Sequence, residues 1–359
     1  MLMGVTHPVH VNTLTLFYVM NFVIALLVIT FGGLVVVTRL QQHKFRLFAS
    51  DSSSARNVLI VGLGSLWLVD GLLQAQPLMV TQFTGGVLAP LLTGQPALVA
   101  AVVRLGMRLW RLHPLVWNLV AIWMQIGIGT VILLGGETRG RRIGLWTSIG
   151  WGLLVWGPGE GFGSIFSGGS WLLGSPGSVL FYVLAAGVLL LPSAWWRSPR
   201  FLRVWQEMIA GLWALAALLQ TWPANGWWSS HRFSAFLTNQ ARMPQPSLFS
   251  APLYAGAQAV AQSAIPWNAG IVGIFLILAL LWILGRPARL TWWLTVGVAG
   301  GTWWFGQDFG VLGGMGTDPN SAALVLLGLV VYALIVPLAR RPCGDPSNPD
   351  RLKRSGMDI

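Results

Sequence analysis

Long apolar runs separated by short polar segments make up most of this chain. Runs of roughly 17–25 residues have the length that an α-helix needs to cross the hydrocarbon core of a bilayer. Helices are the expected form, because lipid offers no partner to an unpaired backbone group. The pattern therefore predicts an all-α integral membrane protein with about nine transmembrane helices. The predicted spans are residues 14–38, 57–76, 116–135, 143–158, 178–195, 204–222, 268–285, 290–305 and 321–339.

The composition favours lipid as the main surroundings of the chain. Of its 359 residues, 55% are apolar and only 9% are charged, whereas ordinary soluble domains carry about 25% charged residues. So little charge cannot cover the outside of a soluble particle of this size. The 21 tryptophans, many of them at the ends of apolar runs, are typical of an aromatic belt at the membrane interface. The expected location is the plasma membrane of a bacterium, with the lipid bilayer as the first partner.

The basic residues alternate between the two sets of loops. Of the 22 Lys and Arg residues, 17 fall after the odd-numbered predicted spans or in the C-terminal tail. Because cytoplasmic loops attract Lys and Arg, the N-terminus is predicted outside and the C-terminus inside. The long loops 77–115, 159–177, 223–267 and 306–320 are then extracytoplasmic. The same asymmetry accounts for the net charge of +12 without any role for nucleic acid.

One segment of the first long loop has a basic helical face. Residues 98–112 place Arg104, Arg108 and Arg111 on the same side of a helix, with leucines beside them. Such a segment fits an amphipathic helix that lies on the outer membrane surface. The alternative is a packed loop helix with a solvated basic edge.

The chain repeats itself with an offset of about 146 residues. The string LLQAQP at 72–77 recurs as LLQTWP at 218–223, and the glycine loop at 159–163 (GEGFG) recurs at 306–310 (GQDFG). Each predicted half holds four spans, an even number, so the halves are expected to be parallel and related by an axis along the membrane normal. The predicted units are an N-terminal span and loop (1–56), two four-helix repeats (57–197 and 198–341) and a cytoplasmic polar tail (342–359).

The glycine loops carry the candidate site. Each loop follows a short span and contains an acid, Glu160 or Asp308, and broken segments at matching places in two halves are the best sequence pointer to a membrane binding site. The two carboxylates are expected to share an outer mouth between the halves, with Arg104, Arg108 or a metal ion as a compensating partner. The alternative is that they cap loops or pair with those arginines. The candidate ligand-binding residues are Asp70, Gln74, Glu160, Gln220, Gln307 and Asp308.

Histidines on the predicted outer side raise a second possibility, a metal site. His7 and His10 could bind a metal ion together with Glu160 or Asp308. Met1 and Met3 would add soft sulfur donors suited to copper. No HxxxH or CxxC spacing supports such a site, and a histidine before proline is also a common turn residue. The candidate metal ligands are His7, His10, His113 and His231.

Several strings resemble one group of membrane proteins. LLQAQP, HPLVWN, the segment WGPGEGFGSIFSGGSWLLGSPGSVLFY and FGQDFG followed by TDPN are similar to multi-pass membrane proteins of Gram-positive bacteria, especially actinobacteria, that carry no assigned function. The resemblance covers most of the chain from residue 72 to residue 337. It implies extracytoplasmic glycine loops and supplies no substrate, cofactor or catalytic residue.

Three functions are compatible with these patterns. The first is a non-enzymatic protein that binds or transports a small solute or ion at an outward-facing site between the repeats. The second is a non-catalytic subunit of a larger membrane complex, with other membrane subunits as partners. The third is a copper-dependent membrane enzyme. Paired broken segments favour the first function, although few charges lie at mid-membrane, where ion-coupled transport needs them.

Overall fold

The computed structural model describes residues 15–27, 29–30, 54–136, 139–284, 289–312 and 316–339. Within these ranges the chain forms helices and short turns and contains no strand, which confirms the all-α prediction for the described part. The helices are α1 (Thr15–Leu27), α2 (Ser54–Gln74), α3 (Pro77–Thr81), α4 (Ala97–Leu112), α5 (Pro114–Leu134), α6 (Arg139–Trp156), α7 (Ser178–Leu189), α8 (Pro199–Thr221), α9 (Ser230–Ala241), α10 (Ser247–Gln262), α11 (Ala264–Ile283), α12 (Arg289–Phe305) and α13 (Asn320–Ala339).

Five of these helices are long and apolar enough to cross a membrane: α2, α5, α8, α11 and α13. The chain is therefore a membrane protein by the length and composition of its helices. Helix α7 has only 12 residues, and α6 and α12 both begin at an arginine. Each of these three helices overlaps a predicted span, but the number nine stays a prediction.

The longer helices pack on one another in two similar arrangements. Helix α2 runs along α5 and α8 runs along α11, while α6 packs on α7 and α12 packs on α13. Helix α13 lies centrally, because it contacts α2, α7 and α8 as well as α12. A buried amide pair joins each long helix pair at corresponding places. Gln74 donates to Asn118 at 2.6 Å between α2 and α5, and Gln220 donates to Asn268 at 2.7 Å between α8 and α11.

Tryptophan serves the core as well as the surface. Trp117 and Trp195 are exposed, as an aromatic belt requires, but Trp196 and Trp227 from the same predicted belt are buried. Trp67, Trp171 and several other indoles fill the centre of the bundle. An indole at the end of an apolar run has two favourable positions, the interface and the core, so its place depends on how the helices pack.

The basic helix of the first long loop is α4. Its buried residues, among them Val99 and Val103, pack on the protein. Arg104, Arg108 and Arg111 are exposed on a second face, and the exposed leucines Leu98, Leu105, Leu109 and Leu112 form a third face opposite the packed one. The exposed leucine stripe fits an interfacial helix, and the packed face with its exposed arginines fits the alternative of a packed loop helix with a solvated basic edge. Both alternatives stay predictions.

Candidate functional site

The two glycine loops have the same unusual backbone. Three consecutive residues at matching positions are left-handed in both loops: Gly161, Phe162 and Gly163 have φ of 55°, 56° and 63°, and Asp308, Phe309 and Gly310 have φ of 46°, 55° and 72°. In the first loop the run continues to Ser164, whose φ is 56°. A left-handed residue other than glycine costs roughly 1–2 kcal/mol, so such a run persists only where its surroundings fix it.

Each loop is held by the segment that leads into the next helix. Trp156 donates from Nε1 to the Pro176 carbonyl at 2.8 Å, and Trp303 donates to the Pro319 carbonyl at 2.7 Å. A side chain at Gly163 would collide with the Pro176 carbonyl oxygen, and one at Gly310 would collide with the Asp318 carbonyl oxygen. Glycine is therefore required at the closest approach of both loops.

Glu160 caps the start of α7. Its Oε1 accepts hydrogen bonds from the Ser178 hydroxyl at 2.7 Å and from the Val179 amide at 3.2 Å. Gln307 does the same for α13, because its Oε1 accepts from the Ala322 amide at 3.0 Å. An uncharged acceptor oxygen is therefore sufficient to cap the helix, and the negative charge of Glu160 is not needed for capping. The second oxygen, Oε2 of Glu160, is buried and has no hydrogen-bond partner within the described residues.

A second acid, Asp318, stands beside Glu160. Its carboxylate accepts from the Asn320 amide at 2.7 Å and from the Thr317 hydroxyl at 3.1 Å, and it also interacts with the Ser178 hydroxyl. Two carboxylates from opposite halves of the chain therefore converge on one serine. Burial first, and then the negative charge of Asp318, raise the pKa of Glu160 to about 8. Burial likewise raises the pKa of Asp318 above its ordinary value.

A third acid lies deeper. Asp70 on α2 is only 2% exposed and accepts a hydrogen bond from the Tyr182 hydroxyl at 3.0 Å. Asp318 and Glu160 both act on it electrostatically. The ring of Tyr182 packs edge-on against Trp67, with ring centroids 4.7 Å apart, and this contact fixes the hydroxyl. The three acids, here called the acid cluster (Asp70, Glu160 and Asp318), run from half-buried loops to a buried position in the bundle.

The negative charge that raises the pKa of Glu160 is that of Asp318 and not that of Asp308, its predicted counterpart. Asp308 is 5% exposed, its Oδ1 has no partner within the described part of the chain, and burial raises its pKa to about 6. Arg104 and Arg108, the predicted compensating partners of the two loop acids, lie on the exposed face of α4. The acid that acts most strongly on Glu160 is instead Asp318, which was outside the predicted set. Asp318 belongs to the string TDPN, which directly precedes the last predicted span. This string corresponds to the SPG string that precedes α7 in the first half, and the correspondence could have pointed to Asp318.

The remaining candidates have partners inside the protein or lie apart. Gln74 and Gln220 form the amide pairs with asparagine described above, and Gln307 also donates from Nε2 to the Trp171 carbonyl at 2.8 Å. These bonds give each amide a packing role, while their binding of a ligand stays a prediction.

The predicted metal site stays untested in its main part. His113 and His231 are exposed, and no group of three His, Cys, Asp or Glu residues that could hold a metal ion occurs in the part of the chain that the structure describes. His7 and His10, together with Met1 and Met3, lie outside that part.

Comparison with known proteins leaves the function to be argued from this geometry. No protein-family model matches the chain, and neither the curated proteins nor the solved structures contain a match to it.

Proposed function

We propose that this protein consists of two parallel repeats and binds a small cation, in exchange for protons, at an outward-facing site between them. The site is the acid cluster of Asp70, Glu160 and Asp318. The observation that carries the proposal is the convergence of Glu160 and Asp318, from opposite halves, on Ser178, where one buried carboxylate oxygen has no partner among the described residues. Binding is the core of the proposal, and transport across the membrane would be an extension of it.

Matching elements support the repeat. Helices α4 and α10 each have 16 residues and begin at residues 97 and 247, while α5 and α11 begin at residues 114 and 264. The glycine loops share their left-handed run and their tryptophan bond. Contacts between the loop regions, from Gln307 to the Trp171 carbonyl and from Gln76 to the Gly316 carbonyl, support halves that point the same way rather than inverted ones.

Charge supports a cation as the ligand. Buried carboxylates are costly unless they are protonated or compensated, and each additional acid makes the next one harder to ionise. Burial and the negative charge of Asp318 raise the pKa of Glu160, and burial raises the pKa of Asp318. A proton relieves this cost at low pH, and a cation relieves it when the protons leave. Acids inside a membrane protein commonly mark an ion site for this reason.

The cation specificity is testable by thermal unfolding of the purified protein in detergent. At pH 8.5 we expect Na⁺, Ca²⁺ or methylammonium to raise the melting temperature of the wild type, because a ligand that binds only the folded state stabilises it. Glu160→Gln is expected to abolish the shift, and Asp308→Asn to keep it. If none of the three cations stabilises the wild type at this pH, the site proposal fails and the accessory-subunit function becomes the better hypothesis.

The outward orientation has its own test. In a Cys343→Ser background, a cysteine at Thr93 is expected to react with an impermeant maleimide in intact cells, and a cysteine at Ala194 only after the membrane is permeabilised. Both positions are exposed. Thr93 lies in the predicted outer loop 77–115 and Ala194 at the predicted inner end of the span 178–195, and the distribution of basic residues predicts this sidedness. Equal labelling of the two cysteines in intact cells would contradict the orientation.

A further inference from the structure

A separate cavity of about 310 Å³ lies in the second half of the chain. It sits between the hairpin of α9 and α10 and the membrane helices α11 and α12. Its polar side chain is Thr302, whose hydroxyl donates to a backbone carbonyl of α12 and accepts from Trp171 Nε1 at 2.8 Å. The cavity is otherwise lined by apolar groups that include Phe233, Phe236, Val260, Ile271, Phe275 and Phe305.

The lining excludes ordered water as the natural occupant. A buried water needs two to four polar partners, and a cavity without them stays dry or takes up an apolar molecule. The hydroxyl of Thr302 is already engaged, so the cavity offers a ligand dispersion contacts and burial alone. The lining therefore suits a hydrocarbon.

The edge of the cavity lies on a helix that faces lipid. Trp267 and Ile274 line the cavity and are also 53% and 46% exposed. Both belong to α11, which is long and apolar enough to span the membrane. They are two turns apart, roughly 10 Å along the helix axis. An acyl chain of a lipid in the adjacent leaflet could enter the cavity beside these two residues without passing through water.

At the corresponding glycine of the first half the packing is tighter. A β-carbon added at Gly106 of α4 would lie 2.7 Å from Pro158, whereas one added at Gly256 of α10 would lie 3.7 Å from the Phe305 ring. At Gly301 of α12, which lines the cavity, an added β-carbon would meet no atom within 4 Å. The free space beside Gly256 and Gly301 thus has no counterpart at Gly106.

We infer that this cavity is a lipid site that takes the hydrocarbon tail of a membrane lipid. The site does not depend on the acid cluster, so the two proposals succeed or fail separately. A tail held here would fill the space between the α9–α10 hairpin and the membrane helices and would tie the position of the hairpin to the surrounding lipid.

Photolabelling of the full-length protein in lipid nanodiscs tests the inference. The probe is a phosphatidylcholine with a diazirine near the end of one acyl chain, and labelled peptides are identified by mass spectrometry. We expect labels on the cavity-lining peptides of α9, α10 and α12. Gly301→Leu should reduce them by about tenfold or more, since displacing two CH₂ groups of the tail already weakens binding that much.

Gly300→Leu is the matched control, because Gly300 has the same open space on the same helix but does not line the cavity. It should leave the labelling unchanged. A second variant, Ala259→Phe, fills the cavity from α10 and should act like Gly301→Leu. Equal labelling of the lining peptides in wild type and in both filling variants, or labels confined to lipid-facing residues such as Leu98, would overturn the inference.

Discussion

Replacing Gly163 by alanine is expected to destabilise the protein by about 2–5 kcal/mol, a large part of the stability of an ordinary domain. Two costs add. Alanine at a φ of 63° costs roughly 1–2 kcal/mol, and its β-carbon would collide with the Pro176 carbonyl, which forces the backbone to shift. Thermal unfolding in detergent, followed by tryptophan fluorescence, measures the effect.

The control for this substitution is Gly187→Ala in α7. Nothing lies within 4 Å of the β-carbon that it adds, and alanine is the better helix former by up to about 1 kcal/mol. It should melt at or slightly above the wild-type temperature. Gly310→Ala should behave like Gly163→Ala if the two loops are equivalent. A Gly163→Ala protein that melts within about one degree of the wild type would contradict the close approach of loop and helix.

The acid cluster is expected to make the protein less stable at alkaline pH. The pKa of Glu160 is raised to about 8 in the folded state against 4.5 for an ordinary glutamate. The folded state therefore holds a proton that the unfolded state releases, and the associated stability is complete below pH 4.5 and is lost as the pH rises through 8. Within that window the loss is at most about 1.4 kcal/mol per pH unit for one proton.

Glu160→Gln should flatten this dependence. The amide keeps an acceptor for the cap of α7, as Gln307 does for α13, but it cannot ionise. Its melting temperature is expected to change little between pH 7 and pH 9, while that of the wild type falls by about 2–4 °C for each kcal/mol lost.

Asp308→Asn is the control for that experiment. The pKa of Asp308 is raised to about 6 from 3.8, so its contribution is lost between about pH 4 and pH 6 and leaves the alkaline window unchanged. The Asp308→Asn protein should keep the wild-type slope between pH 7 and pH 9. An equal slope in the wild type and in Glu160→Gln would show that Glu160 does not titrate in this range.

The sequence predicts the helices well and the site only in part. Apolar runs place the long helices because length and hydropathy are local properties, and the recurring glycine strings place both loops. The partner of Glu160 could not be read in this way. Asp318 is 158 positions away, and the two acids meet because the segment around Gly174 packs on Ser321, a contact between distant parts of the chain.

Other features depend on packing in the same manner. Gln74 and Gln220, which the sequence predicts as ligand-binding residues, each have an asparagine of the adjacent helix as a partner, and their binding of a ligand stays a prediction. A polar side chain in a span serves either purpose, and local spacing does not distinguish them. The α9–α10 hairpin was expected only as a long loop, because its polar and apolar residues are mixed, and the cavity beneath it was therefore missed.

Proton release on cation binding tests the central claim most directly. The purified protein is placed in weakly buffered detergent solution near pH 7 with a pH indicator, and the cation that stabilises it is added. If the acid cluster exchanges protons for a cation, the wild type releases protons in proportion to the protein present, and Glu160→Gln releases fewer or none. Cation binding without proton release, or equal release from the wild type and Glu160→Gln, would contradict the account.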